Sequence, residues 1–366
     1  MKQQVCKIHI SLLACTLCGL LAAGAFSATA NGRPLGDVSG DGLVTVSDVV
    51  ELRRIISDGT PVEETVFFAA DTDGDGQITV SDVVTLRRII LGDITPEPLP
   101  PDGGTPTPPS NPVEGWNISG EGRYYYKNGA FLTGLQTLGG LRYDFDETGL
   151  CLTKAGIDVS TWQTALDWEK VKGQGVEFAF VRLGYRGYGA AGTLKTDDKY
   201  DLHMSGAAAA GVDTGVYFFT QATTAAEGRE EAEYVLSHLG DYQIRYPIVI
   251  DVEYLGISDA RAENISKAAR TAATKAFCDT VLAAGYWPMI YANPDMCSNG
   301  LNLSELSGYD FWLAHYTEEA SASHPFQVWQ YSSSGTLDGF PGQADVNLCY
   351  RDYPAFFKKN GYNKLS

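Results

Sequence analysis

Two carboxylates at the end of an apolar run, Asp251 and Glu253 in Pro247-Ile-Val-Ile-Asp-Val-Glu-Tyr254, are the side chains best spaced to do chemistry. The uninterrupted Ile248-Val249-Ile250 suits a strand buried on both faces. Side chains alternate along a strand, so Asp251 and Glu253 point to one side with Cα atoms roughly 6.6 Å apart. Like charges held that close raise the proton affinity of at least one member, which a general acid requires. A solvated Asp-x-Glu in a loop is the commoner meaning of such a pair, and the apolar run before it argues for a site.

A pair of this kind needs a scaffold, and residues 154–366 supply one repeating pattern. Apolar β-type runs end at Gly156-Ile-Asp158, Phe178 to Arg182, Gly215 to Phe219, Ile248 to Glu253, Met289 to Tyr291, Phe311 to Tyr316, Gln327 to Gln330 and Ala344 to Asn347. Helical stretches such as Asp198–Ala210, Ala225–Leu239 and Ala262–Ala284 lie between several of them. Eight strands alternating largely with helices predict an α/β fold, a compact (β/α)8-like barrel whose site lies at the carboxyl ends of the strands. Asp158, Asp251, Glu253 and Asp345 all fall at such ends, and Tyr217, Tyr291, Trp312 and Trp329 stand on other strands. Each aromatic alone reads as core; together with four acids they describe an acidic cleft suited to a sugar polymer.

The order of Gly-Ile-Asp158-Val-Ser, Ile-Asp251-Val-Glu253, Trp312-Leu-Ala-His-Tyr316, Val328-Trp-Gln330 and Asp345-Val-Asn347 resembles the Chalaropsis-type lysozymes, glycoside hydrolase family 25, over this whole segment. The resemblance implies an endo-β-1,4-N-acetylmuramidase acting on peptidoglycan without a catalytic cofactor. It makes Glu253 the general acid and gives Asp251 either the substrate's N-acetyl group to orient or a more direct part. Asp158 and Asp345 would tune the acids, and Tyr217, Tyr291, Trp312, Trp329 and Gln330 would contact substrate. A chitinase-type barrel would carry acids two and five positions before the Asp-x-Glu, where this chain has Val249 and Tyr246. A non-catalytic wall-binding component is the alternative from another class, and the presence of all four acids speaks against it. Gly187-Tyr-Gly-Ala-Ala-Gly192 matches a dinucleotide-binding pattern, yet it leads into Thr-Leu-Lys-Thr-Asp-Asp and not an apolar helix, so it reads as a mobile loop over the cleft.

Upstream, residues 37–48 and 71–82 are two twelve-residue loops with oxygen-bearing side chains at positions 1, 3, 5, 9 and 12 and glycine at 6. That is the pattern of an EF-hand-type calcium loop, in which oxygens converge on a hard cation. Asp37, Ser39, Asp41, Thr45 and Asp48, with the Leu43 carbonyl, form one cage. Asp71, Asp73, Asp75, Thr79 and Asp82, with the Gln77 carbonyl, form the other. Each loop is followed by nearly the same helix, Val49-Val-Glu-Leu-Arg-Arg-Ile-Ile56 and Val83-Val-Thr-Leu-Arg-Arg-Ile-Ile90, a repeat of period 34. The segment resembles a type I dockerin, which implies a small α-helical module with two Ca2+ sites and the cohesin domain of a scaffoldin as partner. Val46, Ser47, Val80 and Ser81 would be the cohesin-reading positions, and Ser39, where Asn or Asp is usual, predicts a weaker first site.

The predicted organisation is therefore a signal peptide at 1–30, a dockerin at 31–94, a Pro/Thr linker at 95–112, a β-hairpin segment at 113–153 and the barrel at 154–366. The first thirty residues combine Lys2 and Lys7, an apolar stretch from Ile8 to Phe26 and Ala28-Thr29-Ala30, a secretory pattern. They predict a secreted protein associated with a cell surface or a scaffold. In the hairpin segment Tyr125, Gly129, Leu132 and Thr133 recur as Phe145, Gly149, Leu152 and Thr153. This resembles choline- or glucan-binding cell-wall repeats, and with fewer than two copies the piece is open to reading as spacer or as binder.

The formal charge of −18 becomes −20 without Lys2 and Lys7, which argues against nucleic acid as partner. No apolar run beyond the leader is long enough to span a bilayer. Outside the leader the cysteines are Cys151, Cys278, Cys297 and Cys349, with no zinc-binding spacing; disulfides and free buried thiols both remain open.

Overall fold

The computed structural model describes residues 35–40, 44–58, 62, 64–72, 78, 80–90, 108–109, 111–119, 122–258, 260–320, 322 and 324–365. The leader, most of the linker, and the predicted calcium ligands Asp41, Leu43, Asp73, Asp75, Gln77 and Thr79 lie outside the described residues, as do the side chains of Val80 and Ser81.

Helices α1 (Val46–Asp58), α2 (Glu64–Ala70) and α3 (Val80–Ile90) make a small helical unit. Val49, Leu52 and Ile55 recur at helical spacing on α1 and are buried with Val83 and Leu86 of α3 and with Val38 and Ala70. Asp48 and Asp82 sit in the first turns of α1 and α3, where a carboxylate meets the positive end of the helix. Both are buried. Asp48 accepts hydrogen bonds from the backbone N–H groups of Ser39 and Thr45, each at 2.7 Å, and Asp82 accepts from Thr72 N at 2.7 Å. Val46 is half-buried and Ser47 exposed at the start of α1.

The hairpin segment holds β1 (Gly115–Ser119), β2 (Gly122–Lys127), β3 (Ala130–Phe131), β4 (Gly134–Leu138) and β5 (Leu141–Phe145), with β1–β2, β2–β3 and β4–β5 all antiparallel. Asn128 and Gly129 both have positive φ, 55° and 79°, the turn that Asn-Gly favours between twisted strands.

The remainder runs β6 (Lys154–Val159), α4 (Trp168–Gly173), β7 (Phe178–Arg186), β8 (Leu194–Thr196), α5 (Tyr200–Ala210), β9 (Asp213–Phe219), α6 (Ala225–Ser237), β10 (Ile248–Asp251), α7 (Lys267–Ala283), β11 (Pro288–Ala292), α8 (Leu303–Leu306), β12 (Asp310–Ala314), β13 (Val328–Gly335), β14 (Ala344–Cys349) and α9 (Tyr353–Asn360). Among the described residues, eight strands close a barrel in the order β6, β7, β9, β10, β11, β12, β13, β14 and back to β6. β8 is a short hairpin partner on the edge of β7. Helices start where side chains can cap them: Asp167, Thr224, Ser266 and Asp352 each accept a backbone N–H of the first turn.

Two features depart from a regular alternation of strand and helix. β14 runs antiparallel to both of its neighbours, and among the described residues neither β12–β13 nor β13–β14 is joined through a helix. The loop 187–192, expected to be mobile, is the tip of the β7–β8 hairpin, held by Arg186 Nη1 donating to Gly192 O at 2.9 Å and by Arg261 N donating to Tyr188 O at 3.1 Å.

The barrel interior and its outer wall bury separate sets of side chains. Phe178, Phe180, Tyr246, Val249, Met289, Trp312, Val328 and Cys349 fill the interior. Outward residues of the same strands, such as Ile157, Val181, Ile250 and Val346, join the layer between sheet and cover. Gly156 belongs to the inward set: a Cβ there would run into the Phe178 ring. Cys151, Cys278, Cys297 and Cys349 are free thiols.

Candidate active site

Strand parity assembles the carboxylates at one pole of the barrel. Asp158 and Asp345 are directly opposed in the β6–β14 ladder, which barrel closure makes possible. Asp251 ends β10, and Glu253 follows two residues beyond the strand. The expectation that both acids ride on the strand is corrected here: the ladder stops at Asp251, which is buried, and Glu253 stands exposed at the mouth. Val252 between them packs outward with Ile250, so the two acids keep the same parity.

Asp158 is the hub of an amide network. Gln330 Nε2 and Asn347 Nδ2 donate to its Oδ2 at 2.8 and 2.9 Å. The orientation of both amides is dictated by their other partners. Trp312 Nε1, a donor only, occupies Asn347 Oδ1 at 2.8 Å, and the hydroxyls of Tyr291 and Tyr316 both donate to Gln330 Oε1 at 2.9 Å. Each amide is thereby left with its N–H groups facing the carboxylate.

Burial raises the proton affinity of all four acids, and like-charge repulsion adds to it at Asp158, Asp251 and Glu253. Asp158 is pushed up to about 8 by burial and by Asp345, against the pull of its two amide donors. Asp251 stands well above the ordinary carboxylate value through burial and the charges of Glu253 and Asp158, with Arg182 acting in the opposite sense. Its Oδ1 is buried with no hydrogen-bond partner among the described residues. Burial brings Asp345 to about 6. Glu253 is raised by desolvation from its surroundings and by Asp345. The site thus holds protons more tightly than ordinary carboxylates do, which favours an arrangement in which one carboxyl donates while another accepts.

The predicted aromatic contacts separate into two groups. Tyr217 and Tyr291 are half-buried among the acids, and burial raises both hydroxyls well above their usual range. Trp312 and Trp329 are corrected: at 2% and 1% exposure neither offers a ring face to a polymer. Parity is the reason, since Trp312 turns into the barrel against Phe180 and Tyr291 while Trp329 turns out into the wall. Gln330 is buried, and its bonds run to Asp158 and the two tyrosines. The exposed rings follow the carboxyl ends of β6, β7 and β12: Trp162, Tyr188 and Tyr316.

Sequence reasoning missed Asn347, Tyr316 and Arg182 as site residues. Asn347 lies two positions after Asp345 on one strand, so period-two parity alone could have found it. Arg182 ends an apolar run, the same signal that marked Asp251, and donates to the buried Asp197 at 2.6 Å.

No group of three or more His, Cys, Asp or Glu side chains is arranged to hold a metal among the described residues. In the helical unit the buried carboxylates Asp37, Asp48 and Asp82 at loop ends suit a hard cation, because anions removed from water need a counter-charge.

An eight-stranded barrel with carboxylates crowded at one pole defines a glycosidase-like α/β protein. The family profile described as glycosyl hydrolases family 25 matches residues 157–340, half of the chain, and the chain belongs to that family. A second profile, the dockerin type I domain, matches residues 35–91, so the chain also carries a type I dockerin domain. "Lysozyme M1" of Streptomyces globisporus is 28% identical over 209 residues, covering 52% of this chain and 66% of that protein. "Autolytic lysozyme" of Clostridium acetobutylicum is 27% identical over 195 residues, covering 52% and 54%. The chain thus spans less than two thirds of either relative. Among solved structures, the modular autolysin LytC from Streptococcus pneumoniae aligns with TM-score 0.49 at 22% identity, over 64% of this chain and 66% of that one.

Proposed function

We propose that this protein is a secreted endo-β-1,4-N-acetylmuramidase that cuts peptidoglycan glycan strands while held on a cohesin-bearing scaffold through its dockerin. The observation that carries the reading is the shared charge of Asp158, Asp251, Glu253 and Asp345 at the barrel mouth, each with a raised proton affinity. Glu253, exposed and protonated more readily than an ordinary glutamate, gives its proton to the glycosidic oxygen as the bond to C1 breaks. The substrate's acetamido oxygen closes on C1 from the other side, and Asp251, with a buried oxygen that has no partner among the described residues, orients and stabilises the acetamido N–H. Water then opens the cyclic intermediate and returns a proton to Glu253. Asp158 and Asp345 sustain the acidity of the pair and position the sugar. Trp162, Tyr188 and Tyr316 offer the ring faces on which a glycan stacks.

In the dockerin, Asp37, Ser39, Asp41, Thr45 and Asp48, and Asp71, Asp73, Asp75, Thr79 and Asp82, with the Leu43 and Gln77 carbonyls, hold two calcium ions. Val46, Ser47, Val80 and Ser81 meet the cohesin. The buried Asp48 and Asp82 at the helix starts support this reading.

The test is turbidity clearing of a peptidoglycan suspension by the full chain and by Glu253→Gln. Clearing by the wild type alone is expected; equal clearing by both, or none by either, overturns the enzymatic reading. Capture on an immobilised cohesin is expected to vanish with EDTA, and retention in the chelator refutes the calcium-dependent dock.

A further inference from the structure

Where β12, β13 and β14 follow one another without a helix, the outer wall of the barrel lacks the cover that α5, α6 and α7 give elsewhere. Trp329, Tyr331, Val346 and Leu348 point outward there, and all four are nevertheless buried. The cover comes from the hairpin β4–β5. Leu141, Tyr143 and Phe145, alternate residues of β5, are buried in the same cluster as those four side chains. Tyr143 Oη donates to Gly175 O at 3.1 Å, and Arg123 of β2 pairs with Glu177 at 2.9 Å. The hairpin segment therefore closes the hydrophobic layer of the barrel.

Arg142, between the buried Leu141 and Tyr143, reaches from this cover to the mouth. Its backbone N–H donates to Tyr331 Oη at 3.0 Å, and its guanidinium lies over the rings of Trp329 and Tyr331 at 5.3 and 4.8 Å. Nη1 donates to the carbonyl oxygens of Thr317 and Glu318 at 2.9 and 3.2 Å. The ion pair with the Glu318 carboxylate adds little, because that side chain is 94% exposed. The two carbonyl bonds pin the segment directly after Tyr316, whose hydroxyl holds the Gln330 amide toward Asp158.

We infer that residues 113–153 are part of the catalytic unit and not a separate wall-binding module, and that Arg142 is a positioning residue that fixes Tyr316, and through Gln330 the Asp158 carboxyl, in working geometry. This rests on the muramidase reading of the barrel. The experiment compares the full chain with Arg142→Met, Arg142→Lys, Tyr316→Phe and the double variant Arg142→Met/Tyr316→Phe. Each is assayed for initial rate against peptidoglycan concentration and for pelleting with insoluble peptidoglycan. Methionine keeps an apolar cover on the two rings and removes the donors. The expected result is a loss of about tenfold in kcat for Arg142→Met, with KM and pelleting changed by less than about twofold. Arg142→Lys, which keeps one donor, should recover part of the rate, and the double variant should be no slower than the slower single one. A kcat for Arg142→Met within about twofold of wild type overturns the inference, as does lost pelleting at unchanged kcat, which marks a wall-binding module. Should Arg142→Met fail to fold, Arg142→Lys and Tyr316→Phe decide, and full rate in both overturns it. A wild type with no activity removes the muramidase reading itself, a result distinct from an active wild type with an equally active Arg142→Met.

Discussion

The lower and upper layers of the barrel interior are built by the same strands and could hardly differ more in content. Below, Phe178, Phe180, Tyr246 and Trp312 stack on one another, with ring centroids of Phe178 and Tyr246, and of Phe180 and Trp312, both 4.5 Å apart. Above, a few residues further along the strands, carboxyls that range from the buried Asp158 and Asp251 to the exposed Glu253 gather among amides, phenols and Arg182. The dry layer gains from burial and aromatic contact. The charged layer loses by desolvation and like-charge repulsion. The seam includes the hydrogen bond from Trp312 Nε1 to Asn347 Oδ1 at 2.8 Å, beyond which Asn347 turns its N–H to Asp158. Stability is concentrated below that seam and reactivity above it, so substitutions in the two layers should have opposite signatures.

The largest effect expected is on rate, in the charged layer. Glu253→Gln removes the proton donor and should lower kcat by about 10³-fold, near 4 kcal/mol of barrier, with the melting temperature held or raised. Steady-state rates and a thermal melt check both halves of that statement. Phe180→Ala, in the dry layer, should lower stability by about 3–4 kcal/mol through lost burial and a residual cavity, read by urea unfolding.

Asp158→Asn sharpens the contrast through pH. The carboxyl's folded value of about 8 stands above its value in the unfolded chain, so its contribution to stability is full in acid and is lost as pH rises toward 8. Asparagine cannot ionise and escapes that loss. The variant's melting temperature should therefore gain on the wild type between about pH 4 and pH 8 and level off above that, the stability difference growing by at most about 1.4 kcal/mol for each tenfold fall in proton concentration. The smallest effect is expected from Asp345→Asn. Removing the charge that raises Glu253 lowers its proton affinity, so the alkaline limb of the kcat profile should move to lower pH.

Much of the barrel was legible because its strands are short apolar runs set between helical stretches, and the helices α5, α6 and α7 fall within the stretches expected for them. The direction of β14 was not legible: Ala344–Cys349 reads the same whether it runs parallel or antiparallel, and only the closure contacts with β6 decide. Trp312 and Trp329 misled for a related reason. A tryptophan near a strand end looks like a stacking platform until parity shows one turned into the interior and the other into the wall. The hairpin segment looked modular because its Tyr and Gly spacings repeat, while its contacts to Tyr331 and Gly175 are too distant along the chain to leave a local signature. Asp158 and Asp251 were found by the simplest rule available, charge where an apolar strand ends, and Glu253 lies just past such an end; Asp345 is a correction, since the reversal of β14 puts it at the amino end of its strand.

The reversed β14 has a mechanical consequence. Running against its neighbours, it brings the chain from Asp345 at the mouth back to Cys349, paired with Lys154 at the opposite pole. There Lys154 meets Asp352 at 2.9 Å, so the point where the chain enters the barrel and the point where it leaves the last strand are tied side by side. Both crossings therefore sit together at that rear pole. The acidic mouth lies at the other pole, away from both crossings.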